Sequence, residues 1–174
     1  MIPFIQFGLG GCLLKTADYQ SFYDCIYDLL CDEAVRDMEH IRQHTASVTR
    51  LDHSMFVAYT TFRICRLFNL RFDEAARGAL LHDLFMYDQH LSQYHKGHLR
   101  RHPAVALENA SSRFPLSGIE CDAICHHMWP FNIKNPPRSM EAVIVCLLDK
   151  VCSVAEVSHL YHLFRMPRKL GALL

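Results

Sequence analysis

The chain has 174 residues, which suits one domain that buries roughly 70% of the surface its unfolded state exposes. Lysine plus arginine and aspartate plus glutamate each number 18, so no global positive field recruits a nucleic-acid polymer or an anionic membrane. The eight cysteines lie in apolar helical runs without a C-x-x-C pair, which favours a reducing cytoplasm over a disulfide framework. We therefore expect a cytoplasmic domain in which any phosphate binding is local.

The first segment, MIPFIQFGLGGCLLK, is apolar but too short to span a bilayer, and it lacks the basic start of a secretory signal. Leu9-Gly10-Gly11-Cys12 loosely resembles a lipoprotein cleavage box, but the missing charged start weighs against that interpretation. We expect this segment to pack on the domain or on a second subunit, so a homodimer is one expectation.

Helical periodicity recurs along the chain and strand-like alternation is nearly absent, which predicts an all-α fold. Asp73 is a good N-cap, Pro103 suits a first helical position with His102 at the cap, and Ser117 with Glu120 forms a capping-box pattern. The predicted helices cover about 18–43 (one helix or a pair), 52–68, 73–86, 103–113, 118–127 and 139–157. We expect one domain over 1–174, with a helical extension at 1–49, a core at 50–157 and a tail at 158–174, where a short helix precedes a frayed end.

An ordered series of histidines and aspartates runs through these helices. It offers more ligands than one metal ion normally takes from a protein, which predicts a two-metal centre. Each dipeptide alone is expected about once by chance, so the order and the apolar surroundings carry the signal. The members are His53, His82, Asp83, His102, His126, His127 and Asp149.

Asp149 is the most telling member because it interrupts an apolar run that predicts a largely buried helix. A buried carboxylate needs a cation or several donors. A salt bridge with Lys150 is the alternative, although neighbours along a helix do not face each other. His82 and Asp83 likewise adjoin in an apolar stretch, where a metal satisfies two polar groups at once. The other four histidines, each taken alone, fit capping or surface positions equally well.

The pattern of His53, His82-Asp83 and Asp149 resembles the H…HD…D motif of the HD-domain metal-dependent phosphohydrolase superfamily, over about residues 50–155. The additional His102 and His126-His127 resemble the branch that binds two metals, which includes HD-GYP-type phosphodiesterases. In that branch H-D-I-G-K is usual, and a glutamate followed by Gly-Tyr-Pro comes after the paired histidines. Here the HD dipeptide is followed by Leu-Phe-Met, and the paired histidines by Met-Trp-Pro-Phe, which disfavours cyclic dinucleotide hydrolysis.

The resemblance implies an all-α, single-domain HD-type helical bundle with two divalent metal ions. Iron or manganese is expected, with zinc, nickel or magnesium as further options. It also implies that all seven members of the series are ligands, that Asp83 is the catalytic residue that bridges the ions, and that metal-activated hydroxide attacks phosphorus.

The implied substrate is small and phosphorylated, either a nucleotide or another phosphoester. The candidates for phosphate contact are Lys96, His98, Arg100, Arg101 and Lys150, with His95, and a solvated basic loop is the alternative for those near His102. Two other functions stay open. One is a di-iron oxygenase, which some relatives of HD domains are; the other is a non-catalytic metal-binding regulatory module.

Overall fold

The computed structural model describes residues 12–45, 47–87 and 98–158, with side chains from residue 18 and, after the second gap, from residue 100. The regular elements in these ranges are helices, apart from an isolated β-bridge between Arg42 and Thr49, and this confirms the all-α prediction. The helices are α1 (Cys12–Leu30), α2 (Glu33–Asp37) with a following 3-10 turn (Met38–His40), α3 (Arg50–Leu67), α4 (Phe72–Leu81), α5 (His98–Ser111), α6 (Gly118–His126) and α7 (Met140–Val157).

Three boundaries differ from the sequence prediction. The helix expected to continue to Met86 ends at Leu81, and its N-cap is Arg71 instead of Asp73. His82 and Asp83 therefore lie in the turn after α4. Pro103 is inside α5, where it removes one early hydrogen bond without ending the helix. The short helix predicted in the C-terminal tail, like the apolar segment at 1–11, lies outside the described residues.

Helix α3 is the centre of the bundle, with α4 and α7 packed against it, and α6 packs on both of those helices. Thr49 begins α3 through a capping box with Asp52. Most of α3 is buried, including the fully buried Phe62. A second capping box, between Ser117 and Glu120, begins α6 as the sequence predicts.

A close approach between α4 and α6 depends on Gly78. A Cβ atom at this position would lie 2.9 Å from the Cβ atom of Ala123 and 3.2 Å from the Cα atom of Glu120. Only the missing side chain lets the two backbones come this near. Since α4 leads into His82 and α6 into His127, this contact sets the spacing between two of the predicted ligands.

Among the helices of the described residues, none combines the length and the apolar character that crossing a bilayer requires.

Candidate metal centre

Six of the seven predicted ligands come together between the packed helices. They arrive from α3, the turn after α4, α5, the residue after α6, and α7, so five elements meet at one point. All six are buried, and the most exposed of them is Asp149 at 8%. The six residues are His53, His82, Asp83, His102, His127 and Asp149.

One half of the centre, which we call the α3–α7 half, contains His53, His82 and Asp149. The Nε2 atom of His53 lies 3.1 Å from Oδ1 of Asp149, and the Nε2 atom of His82 lies 3.6 Å from the same oxygen. Two imidazole nitrogens thus converge on one carboxylate oxygen. Asp149 reaches this position because it projects from the buried face of α7.

The other half, the α5–α6 half, contains His102 and His127. Their Nε2 atoms lie 2.7 Å apart, and they are 3.4 Å and 3.8 Å from Oδ1 of Asp83. Two imidazole nitrogens approach this closely only when they share a proton or another cation, because their lone pairs otherwise repel each other.

Asp83 lies between the halves and presents a different oxygen to each. Its Oδ1 atom faces His102 and His127, whereas its Oδ2 atom lies 3.6 Å from Nε2 of His82. Oδ2 also accepts a hydrogen bond of 2.5 Å from the side-chain amide of Gln43. In the turn after α4 the backbone leaves the helix, so that His82 and Asp83, although adjacent, both point to the centre.

His82 and His127 are held by the same local arrangement. Each follows the last residue of a helix and donates its Nδ1–H to the carbonyl oxygen three residues earlier, at 2.7 Å to Ala79 and 2.8 Å to Ile124. This fixes the tautomer and leaves the Nε2 lone pair directed inward. The Nε2 atom of His82 is fully buried and has no hydrogen-bond partner among the described residues, although buried polar atoms are normally paired. A metal ion fits this donor set, because it would satisfy that nitrogen and the adjacent carboxylates together.

The electrostatics of the two halves differ. Burial alone would lower the pKa of His53, but the charge of Glu156 and the hydrogen bonds to Asp149 and Glu156 raise it to about 10. Burial and the nearby His82 and His102 lower the pKa of His127 to about 3. The α3–α7 half therefore favours the protonated form of His53, whereas the α5–α6 half favours the neutral form of His127.

The two aspartates are ionised despite their burial. Burial would raise the pKa of Asp83, but the charges of His82, His102 and His127 hold it below its ordinary value. Burial would also raise the pKa of Asp149, and the hydrogen bond with His53 keeps it well below that value. Both carboxylates are therefore in the form that binds cations.

The structure places His126, the seventh predicted ligand, outside this group. Its Nδ1 atom lies 2.6 Å from Oδ1 of Asp122, and the other oxygen of that carboxylate, Oδ2, accepts hydrogen bonds from the backbone and hydroxyl of Ser139. His126 is the last residue of α6 and His127 follows it, so the two rings point in different directions. Asp122 ties α6 to the start of α7, and His126 contacts the same carboxylate from within α6.

The predicted phosphate contacts are only partly described. Arg100 and Arg101 are exposed on α5 just before His102. Lys96 and His95 lie outside the described residues, as does the side chain of His98. The Nζ atom of Lys150 donates to the carbonyl oxygens of His127 and Cys146, and it is 3.6 Å from Oδ2 of Asp149. The lysine side chain is long enough to approach the carboxylate of the adjacent Asp149. The Lys150–Asp149 salt bridge is therefore present together with the contacts of Asp149 to the histidines.

Sequence reasoning missed Glu156, which is 3% exposed and accepts from Nδ1 of His53 at 3.0 Å. A carboxylate behind a histidine fixes its tautomer and raises its basicity as a metal ligand. The spacing from Asp149, two helical turns along α7, was a signal that could have found it. His44, whose ring lies 4.9 Å from that of His53 and which is 2.8 Å from the hydroxyl of Ser153, comes from a loop without such a signal.

A buried polar network supports Asp83 from the other side. Arg50 is fully buried, donates to the side-chain oxygen of Gln43 at 3.0 Å, and lies over the ring of Phe85. It also donates to the backbone carbonyl oxygens of Phe85 and Tyr87, just after the HD dipeptide. Arg50 and Gln43 thereby connect the start of α3 to the turn that carries Asp83.

The family model described as HD domain matches residues 50–153, more than half of the chain. The match contains all six converging residues, and Glu156 lies just beyond it. Comparisons with curated proteins and with solved structures gave no match. HD domains form a superfamily of metal-dependent hydrolases, and the buried histidines and aspartates fit metal binding. The chain belongs to the HD-domain family.

Proposed function

We propose that this protein is a metal-dependent phosphohydrolase that uses two divalent ions to hydrolyse a nucleotide or another small phosphoester. The observation that carries the proposal is the position of Asp83, whose Oδ1 atom faces His102 and His127 and whose Oδ2 atom faces His82. A carboxylate that serves two sets is the arrangement that a two-metal site needs. A single structural ion would leave one set without a role.

Each half of the centre would hold one ion. His53, His82, Asp83 and Asp149 would hold the first, and Asp83, His102 and His127 the second. Fewer protein ligands than a full coordination shell leave positions for water and substrate. When bound, such ions supply Lewis-acid chemistry, which activates water as a nucleophile and neutralises charge on phosphoryl oxygens. The imidazole-rich set favours iron or manganese, with zinc, nickel and magnesium as further options.

The residues of the chain would hold the metal ligands in place and bind the phosphate group of the substrate. Gln43 fixes one oxygen of Asp83, and the carbonyl oxygens of Ala79 and Ile124 fix the rings of His82 and His127. Arg100 and Arg101 are exposed next to His102, where they are available to a phosphate group from solvent. We assign them, with Lys96, His98 and Lys150, to substrate binding.

The cytoplasm is the compartment we propose. The seven cysteines with described side chains are all free thiols, which a reducing environment preserves. A reducing environment also keeps iron in its ferrous state.

The test combines elemental analysis with activity under strict anaerobiosis. We expect about two equivalents of transition metal per chain, and phosphate or nucleoside monophosphate release from a member of a phosphoester panel. A chelator should abolish the activity, and Mn²⁺ or Fe²⁺ should restore it. The variant His40→Ala, which removes an exposed histidine that is not one of the six converging residues, should leave both metal content and activity unchanged.

The other outcomes separate the competing functions. Turnover that requires O₂ and consumes it stoichiometrically would replace hydrolysis with di-iron oxygenase chemistry. Two bound ions without turnover on any phosphoester would favour a regulatory module. One ion or none after anaerobic preparation would contradict the two-metal proposal itself.

A further inference from the structure

Helix α7 has a solvent-facing side that is apolar along its whole length. The exposed residues of this helix are Met140, Leu147, Val151, Val154 and Val157, with exposed fractions of 60%, 53%, 45%, 65% and 58%. No exposed position of α7 therefore carries a charged or polar side chain. The exposed face of a helix normally carries charged or polar residues. A helix that is apolar all round is normally buried.

Four of these residues form a regular stripe with the half-buried Ile144. The α7 stripe consists of Met140, Ile144, Leu147, Val151 and Val154, and alternating spacings of four and three residues separate its members. This is the spacing with which one helix packs lengthwise against another. The stripe faces about 180° away from Asp149, which points to the metal centre.

The charged groups of α7 do not interrupt the stripe. Glu141, Asp149 and Glu156 are buried, at 7%, 8% and 3% exposure. The Nζ atom of Lys150 is held by the backbone carbonyl oxygens of His127 and Cys146. The helix can therefore meet a second apolar helix without opposing like charges.

Further apolar side chains are exposed at the end of α3. A groove of about 520 Å³ near it is lined by Leu148 of α7 and by Ile64 and Leu67, together with the charged Asp18, Arg63 and Arg66. Leu67 is 79% exposed and the adjacent Phe68 is 67% exposed. A row of exposed apolar residues such as the α7 stripe marks an interaction site.

We propose that the α7 stripe is a homodimer interface, in which it packs antiparallel against the same stripe of a second copy. The spacing is symmetric about Asp149. Under a twofold axis at that level, Leu147 lies opposite Val151 of the partner subunit, and Ile144 lies opposite Val154 of the partner subunit. A twofold interface requires such self-complementarity, and the α7 stripe meets that requirement.

The terminal segments of the chain match the stripe less well. From Met140 to Val154 the stripe is about 21 Å long, whereas eleven residues in a helix reach only about 16 Å. Residues 1–11 contain Pro3, Gly8, Gly10 and Gly11, and residues 159–174 are interrupted by Pro167. Neither segment offers an uninterrupted apolar helix of the length of α7, whereas a second α7 does so by definition.

Light scattering coupled to size-exclusion chromatography tests the proposal on the full chain. The wild type should have twice the chain mass of 20.1 kDa at micromolar concentrations. Leu147→Glu and Val154→Glu should each weaken self-association by about a hundred-fold or more, because each would bury an unpaired charge. Both positions are more than half exposed in one chain, so circular dichroism should show unchanged folding.

A matched control and a rescue experiment make the test specific. Ile133→Glu changes a residue that is 76% exposed in the segment before α7, and it should stay dimeric. Leu147→Glu mixed with Val151→Lys should recover the dimer, because the antiparallel arrangement places these two positions opposite each other. Mixing without recovery would overturn the proposed register, and a dimeric Leu147→Glu would overturn the interface.

A wild type that is monomeric at all concentrations would overturn the proposal. In that case, a large drop in the melting temperature of Leu147→Glu would indicate that a segment of the same chain covers the stripe. Deletion of residues 159–174 or of residues 1–11 would then show which segment covers it. Because the stripe faces away from the metal centre, loss of the dimer and loss of metal binding are separately measurable.

Discussion

The two halves of the metal centre share Asp83 but surround it with different charges. In the α3–α7 half, His53 lies between Asp149 and Glu156, and its pKa is raised to about 10. In the α5–α6 half, His127 lies near two other histidines, and its pKa is lowered to about 3. The same residue type, buried to the same extent, is thus pushed in opposite directions by its neighbours.

If each half holds one ion, as proposed, the difference predicts unequal metal affinities. The α3–α7 half offers two carboxylates and a third behind His53, whereas the α5–α6 half has only the shared Asp83. Since a cation is attracted by each nearby anionic group, the first half should fill at a lower metal concentration than the second. Stepwise titration of the metal-free protein should therefore show one tight and one weaker site. Two equal affinities would contradict the comparison.

The largest effect is expected from Asp83→Ala, which removes the residue common to both halves. Metal content should fall from about two equivalents to well below one. Activity should fall by about a thousand-fold or more, because bound ions supply several kcal/mol of transition-state stabilisation. Elemental analysis and initial rates measure this. Asp37→Ala, at an exposed aspartate, is the control, and full metal content in Asp83→Ala would show that the halves do not share this residue.

The second largest effects are expected from Asp149→Asn and His127→Ala, each of which changes one half of the centre. Asp149→Asn should lower the affinity of the tight site by more than the roughly hundred-fold that loss of an outer partner costs. The amide keeps the shape of the side chain, so the free energy of unfolding should change by only about 1 kcal/mol. His127→Ala should remove the weak ion and spare the tight one. Titration beside thermal unfolding checks both variants, and a large drop in stability of Asp149→Asn with normal metal content would make Asp149 a structural ion-pair residue.

A smaller effect is expected from Glu156→Gln, which weakens the support of His53 without removing a ligand. Loss of such a partner lowers metal affinity by about 10–100-fold. The loss should be confined to the tight site, because Glu156 contacts His53 alone among the predicted ligands in the described residues. Equal weakening of both sites would show that the charge of Glu156 acts on the whole centre.

Much of the fold could be predicted from local signals. The capping box at Ser117 and Glu120 and the apolar periodicity of α7 each depend on residues a few positions apart, which sequence displays directly. The end of α4 could not be predicted in this way. The apolar pattern continues through Leu84 and Phe85, and the helix ends at Leu81 because His82 and Asp83 turn toward ligands from other helices.

The site residues also divide into those that sequence could identify and those that it could not. The order of the histidines and aspartates identified six residues that converge, because buried polar groups in apolar helices need partners. Gln43 and His44 could not be identified, since they come from a loop that reaches the centre only through tertiary packing. His126 was included because it adjoins His127, and sequence alone does not reveal which of two neighbouring rings faces inward.

The smallest effect on metal content is expected from His126→Ala. This variant also tests which of the two paired histidines faces the centre. The structure engages His126 with Asp122, so the variant should keep about two equivalents of metal and most of the activity. Its cost should be in stability, about 1.5–3 kcal/mol for a hydrogen bond to a charged group, because Asp122 also holds the start of α7. His127→Ala, one residue along, should show the reverse, with the weak ion lost. If His126→Ala instead lost an ion and kept its stability, both paired histidines would be ligands, and the orientation of α6 would need revision.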